Sequence, residues 1–177
     1  MNSIALLMSA LSSTDTMTVH QEDSFDTELQ CLAQNVYFEA RNQSIAGMYA
    51  VGHVVLNRIN SDEFPRSVDG KISTKEQRQP ESATVCSIVK DAKLDSNKNP
   101  IKNMCQFSWY CDGEPEVITD NESWELAEEI AHDLLTDRYY EFDFTGGALY
   151  YHADYVSPKW RKSYTKTIQV LDHIYYK

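Results

Sequence analysis

Residues 44–60 read SIAGMYAVGHVVLNRIN. No charged residue interrupts this run before Arg58, and apolar residues fall on nearly every side of a helix built from it. A helix that is apolar all round is buried all round. The stretch therefore predicts a central helix from about Ser44 to Asn60, with the other elements packed around it. Gly47 and Gly52 within it would let neighbours come close. A chain of 177 residues organised around one such helix fits a single domain.

Upstream, CLAQNVYFEARNQ (residues 31–43) continues a helical pattern from about Asp26 to Arg41, with Leu29, Leu32, Ala33, Val36 and Ala40 on one stripe. Asp26 or Thr27 is placed to cap its start, and Asn42 can close its end in the left-handed conformation. Positions seven apart on a helix differ by only about 20°. Glu39 therefore lies nearly under Leu32, at the edge of the stripe that meets the core. Partial desolvation and the negative end of the helix dipole both raise a carboxyl pKa. An acid poised in this way can donate a proton. The plain structural alternative is a stripe-edge glutamate paired with Lys or Arg.

Downstream, residues 61–84 are charged and rich in turn formers, and read as a surface excursion. TVCSIVKDAK predicts a short helix, LDSNKNPIKNM a loop, and CQFSWYCDGEPEVI a compact aromatic segment. A helix is expected from about Asn121 to Thr136, with Trp124, Ala127, Ile130, Ala131, Leu134 and Leu135 on its apolar face. GGALYYHADYVSPKW reads as a turn, a strand and a loop. YTKTIQVLDHIYY alternates in part and supplies a partner strand for 147–152. The class is α+β, mainly α, with a small β-hairpin.

A net charge of −11 would repel phosphate backbones and argues against nucleic acid as a partner. No apolar run reaches the roughly 18–20 residues of a membrane-spanning helix. The start, MNSIALLMSALSS, resembles a secretory signal only weakly, because it lacks a positive n-region. The expected organisation is a poorly ordered segment over 1–24 and a catalytic domain over 25–177. Cys31, Cys86, Cys105 and Cys111 form no C-x-x-C pair, so a structural zinc site is not indicated. Four cysteines allow three full pairings, and a bridge between Cys86 and Cys105 would restrain the polar loop between them. Four reduced thiols fit the sequence equally well.

Of the 11 tyrosines and 3 tryptophans, many fall in two clusters, CQFSWYCDG and ALYYHADY. Aromatic faces beside amides and hydroxyls suit sugar rings. Phe107 and Trp124 read better as core. Gln106, Ser108, Tyr150 and Tyr151 are polar-tipped, lie beside turn residues and are the better cleft candidates. His53 and Asn57, four apart on the central helix, either support Glu39 from the cleft or form a buried hydrogen-bonded pair. His152 and Asp154 form an H-x-D pair, but no H-E-x-x-H and no third ligand accompany it, and no metal site is assigned.

CLAQNVYFEAR, AVGHVVLNRINSDEFPRSV, CQFSWYCDG and GGALYYHADYVSPKW occur in this order. Together they resemble the SleB/CwlJ-type cell wall hydrolases over about residues 28–177. The resemblance implies a lysozyme-like fold and cleavage of peptidoglycan between N-acetylmuramic acid and N-acetylglucosamine. It makes Glu39, the acid of the EAR motif, catalytic. It places Gln106, Ser108 and Trp109 of QFSW, and Tyr150 and Tyr151 of ALYY, along the substrate groove. Where the family usually reads EARGE, this chain reads EARNQ. Gln43 cannot replace a second acid, so Glu39 is expected to serve as both acid and base in a lytic transglycosylase giving 1,6-anhydro products. The residues from Asp69 to Ala83 resemble an insertion over one end of the groove. A metal-dependent amidase or peptidase, and a non-catalytic peptidoglycan-binding module, are the alternatives. The expected enzyme needs no cofactor and is a monomer acting at the bacterial wall, in the periplasm or outside the cell. The sequence is compatible with either a phage lysin or a bacterial remodelling enzyme.

Overall fold

The computed structural model describes residues 15–61, 64, 67–68, 71–72, 83–136 and 142–177. Most of the insertion-like stretch from Asp69 to Ala83 lies outside these residues, as does the signal-like start. Helix α1 (Asp15–Ala40) is followed after a tight turn by α2 (Ile45–Ile59). Strands β1 (Ser67–Val68) and β2 (Lys71–Ile72) form a small antiparallel hairpin. Then come α3 (Val85–Val89), the strands β3 (Ala92–Leu94) and β4 (Pro100–Cys105), and a 3-10 turn over Ser108–Cys111. The chain ends with α4 (Asn121–Leu135), β5 (Tyr150–Ala153), β6 (Lys166–Val170) and β7 (His173–Tyr176).

Helix α2 is central, and its all-round apolar surface is explained by two layers. Met48, Val51 and Val55 join Leu32, Val36, Ile130 and Leu134 in the core shared by the helices. On the opposite side Ala50 and Val54 pack with Ala148 and Tyr175 under the three-stranded sheet. The Ser44 side chain accepts from Gly47 N and caps α2. A Cβ at Gly52 would sit 2.3 Å from Leu134 Cδ1, so the absent side chain is what admits α4. Asp120 caps α4 by accepting from Ser123 N. The Tyr37 hydroxyl on α1 accepts from Thr119 N and Asp120 N and fixes where α4 begins.

Five sequence-based expectations need correction, four of them ahead of the C-terminal sheet. Helix α1 starts at Asp15, well ahead of the caps proposed at Asp26 and Thr27, through a segment that carries no apolar stripe. Asn42 closes the helix without a positive φ; among the described non-glycine residues only Lys98, Asn103 and Leu171 adopt one. LDSNKNPIKNM is not a loop but most of the β3–β4 hairpin, which is exposed on nearly every position and so shows no alternation. The disulfides are Cys31–Cys86 and Cys105–Cys111, not Cys86–Cys105. Packing of α1 on α3 brings Cys31 against Cys86, a proximity that spacing along the chain does not reveal.

The C-terminal segment supplies two strands rather than one, in the order β5-β7-β6 with both pairs antiparallel. Register places Tyr151 opposite Tyr175 and Ala153 opposite His173. Alternation then turns Tyr151, Tyr175 and His173 to one face, and Tyr150, His152 and Tyr176 to the other.

Candidate active site

Glu39 sits one residue before the end of α1 and is partly buried. Tyr151 Oη, reaching over from β5, donates to Glu39 Oε2 across 2.7 Å. Oε1 has no hydrogen-bond donor among the described residues. Burial holds the Glu39 carboxyl above the usual carboxylate range, opposed by the Tyr151 hydrogen bond and by the charge of Arg58. The Tyr151 phenol is held well above its ordinary value, first by burial and then by the Glu39 charge, so it stays protonated as a donor. Tyr175, 5.5 Å from Tyr151 between ring centres, is likewise pushed up by burial and by Glu39.

Arg58, which sequence reasoning treated only as the end of an apolar run, lies behind this pair. It is 5 % exposed, its Nε donates to Leu149 O, and its guanidinium lies over the rings of Phe64 and Phe107. Its Nη1 has no hydrogen-bond partner among the described residues. The position fixes one positive charge near a carboxyl that burial pushes toward its neutral form. Asp91 is the other acid in the field of Arg58; burial raises its carboxyl, against a hydrogen bond from the Gln106 side chain.

Glu39 opens into a groove of about 310 Å³. Phe38, Arg41, Tyr155, Asp172 and His173 share its lining, and Tyr155 is 84 % exposed at its edge. Across it Gln43 Nε2 donates to Asp172 Oδ2, and Gln43 Oε1 accepts from Asp172 N, each over 3.4 Å. A larger cavity of about 500 Å³ lies elsewhere, among Phe25, Leu56, Ile59 and Leu135. Among the described residues its one acid is Glu28, which is occupied in accepting from Val85 N and Cys86 N at the start of α3.

Of the residues singled out in the sequence, Glu39 and Tyr151 meet. Tyr150 points to the other face of β5 and packs with Phe64, Trp160 and Tyr164. Trp109 is buried, stacks on Phe38 and donates from Nε1 to Asn35 Oδ1, so it supports the groove wall from beneath. Gln106 and Ser108 are exposed, Gln106 beside Asp91 and Ser108 on the 3-10 turn. His53 and Asn57 face the Asp143–Ala148 loop rather than Glu39. Asn57 Nδ2 donates to Asp143 Oδ2 and Ala148 O, and His53 Nδ1 lies 3.9 Å from Asp143. His152 has both ring nitrogens engaged, Nδ1 with Ala153 O and Nε2 with Tyr176 Oη. Among the described residues no three His, Cys, Asp or Glu side chains are grouped to hold a metal. Asp172 and His173 escaped the sequence reading. The alternation of HIYY was visible, but not which of its faces meets α1.

Residues 42–176 match the Cell Wall Hydrolase family, a span that begins three residues after Glu39. A spore cortex-lytic enzyme of Halalkalibacterium halodurans is 49% identical over 47 residues, 27% of this chain and 14% of that protein. One from Oceanobacillus iheyensis is 26% identical over 151 residues, 85% of this chain and 41% of that protein. This chain thus spans less than half the length of these relatives. The solved catalytic domain of the germination-specific lytic transglycosylase SleB from Bacillus anthracis superimposes with a TM-score of 0.56 at 26% identity, covering 85% of this chain and 93% of that one. The mainly helical fold with its small sheets is that of this catalytic domain, and the chain belongs to the Cell Wall Hydrolase family.

Proposed function

We propose that this chain cleaves the glycan strand of peptidoglycan between N-acetylmuramic acid and N-acetylglucosamine as a lytic transglycosylase. One observation carries the reading: a half-buried carboxyl held on Oε2 by Tyr151, with Oε1 free of partners among the described residues, at a groove. Burial favours the protonated form before reaction. Glu39 gives its proton to the glycosidic oxygen, the C1–O bond breaks, and positive charge develops on the muramoyl ring. The carboxylate that remains is stabilised by the Tyr151 hydrogen bond and the charge of Arg58. It then takes the proton from the muramoyl C6 hydroxyl as that oxygen closes on C1, which restores the acid and leaves a 1,6-anhydro end. The relationship to a lytic transglycosylase catalytic domain supports this assignment.

Asp172 in the same groove favours a second reading, in which it activates water and the product is a reducing end. Mass spectrometry of digested sacculi separates the outcomes. Anhydro-muropeptides from wild type and from Asp172→Asn support the transglycosylase. Reducing ends that disappear in Asp172→Asn support hydrolysis. Free peptides, lost with EDTA, would indicate an amidase, and sacculi bound without products a binding module. The site of action is the cell wall.

A further inference from the structure

We propose that His173 is a substrate-binding residue of this groove: a neutral imidazole whose Nε2–H donates to an acceptor oxygen of the glycan strand, the carbonyl of an acetamido group. The inference rests on the reading of the Glu39 groove as a glycan-cleaving site. Strand β7 brings His173 to the same sheet face as Tyr151, with the two rings 5.1 Å apart, and Tyr151 is the residue that holds Glu39. His173 lines the groove although it is only 8 % exposed. Its Nδ1 is shut off from solvent and has no hydrogen-bond partner. A proton there would be a buried, unsatisfied N–H, a scarcer arrangement in folded proteins than an unpaired acceptor. An imidazolium would need that same proton. Burial accordingly lowers the pKa, against the pull of Asp172 and Asp154 and together with the repulsion of His152. The single proton therefore belongs on Nε2. That atom makes no hydrogen bond to the described residues and is not shut off as Nδ1 is. His152, on the opposite face of the sheet, shows the contrast, since both of its nitrogens are satisfied internally. The donor has an obvious use in a groove for N-acetylated sugars, where it fixes a sugar against Glu39.

The test has two arms. Imidazole ¹⁵N spectra of the wild-type protein should show the His173 ring neutral and protonated on Nε2 at neutral pH, with that resonance shifting on addition of N-acetylchitotetraose. On soluble glycan strands His173→Ala should raise the half-saturating concentration roughly three- to tenfold, with kcat little changed, as expected for one lost neutral hydrogen bond. His173→Gln, which restores an N–H donor, should recover part of the loss. A ring protonated on Nδ1 or on both nitrogens overturns the proposal, as does a resonance indifferent to the sugar. A folded His173→Ala with wild-type saturation does the same. If that variant does not fold, the spectra decide alone. Failure of the catalytic reading itself is recognised separately, by wild-type protein that releases no glycan fragments.

Discussion

Glu39→Gln keeps the size of the side chain and keeps a carbonyl oxygen for Tyr151 Oη, which now donates to Oε2 over 2.7 Å. What it removes is the transferable proton. General acid–base catalysis contributes roughly 10²–10⁴-fold, so turnover of sacculi should fall by at least about a hundredfold, or about 3–5 kcal/mol on the barrier. Stability should move the other way. Burial raises the Glu39 carboxyl in the folded state, so that state holds the proton more tightly than the unfolded chain. The stability contributed is fully present below the unfolded value of about 4.3 and is lost as pH rises through the folded value. Glutamine never ionises. The Tm of the variant relative to wild type should therefore grow as pH rises through the Glu39 titration. Muropeptide release and thermal unfolding at acid and neutral pH read the two effects. Retained activity would refute the catalytic assignment, and a Tm difference that is flat or shrinks with pH would refute the electrostatic one.

Tyr151→Phe deletes the hydrogen bond that favours ionised Glu39, so the carboxyl rises further and the alkaline limb of the rate profile moves upward; a profile superimposable on wild type would count against the contact. The Cys31–Cys86 bridge spans a sequence separation of 55 and the Cys105–Cys111 bridge one of 6. Loop-closure entropy makes C31A/C86A cost about 2–4 kcal/mol, more than C105A/C111A, and denaturant unfolding showing equal or reversed losses would contradict that ordering. Gly52→Ala should lose about 1–3 kcal/mol by overpacking against Leu134, despite the better helix propensity of alanine. A stabilised variant would mean that α4 yields at this crossing.

The parts of the fold that sequence reveals are those with one strong local signal. Helix α2 announces itself by an unbroken apolar run, and α4 by its apolar stripe. The β3–β4 hairpin does not, because a strand exposed on both faces has no alternation to detect. At the site, Glu39 was legible from its place at the stripe edge. Tyr150 and Tyr151 could not be told apart, since strand periodicity separates neighbours without saying which of them faces inward. Only the pairing with β7 decides that, and the same pairing brings in His173 from far along the chain. Arg58 was hidden differently: a charge at the end of an apolar helix reads as an exit to solvent, whereas here it is buried among aromatic rings.

The Gln43–Asp172 contact has a consequence for how the family varies. A neutral amide at position 43 both donates to the carboxylate and accepts from the main chain of residue 172. A glutamate there, as the family pattern EARGE prefers, would set two like charges against each other across the groove. Positions 43 and 172 should therefore drift as a linked pair, with an acid at one accompanied by a neutral or basic residue at the other. In this chain Q43E alone would prise the two turns apart. Q43E combined with D172N would rejoin them with donor and acceptor exchanged, a compensation readable in any set of related sequences.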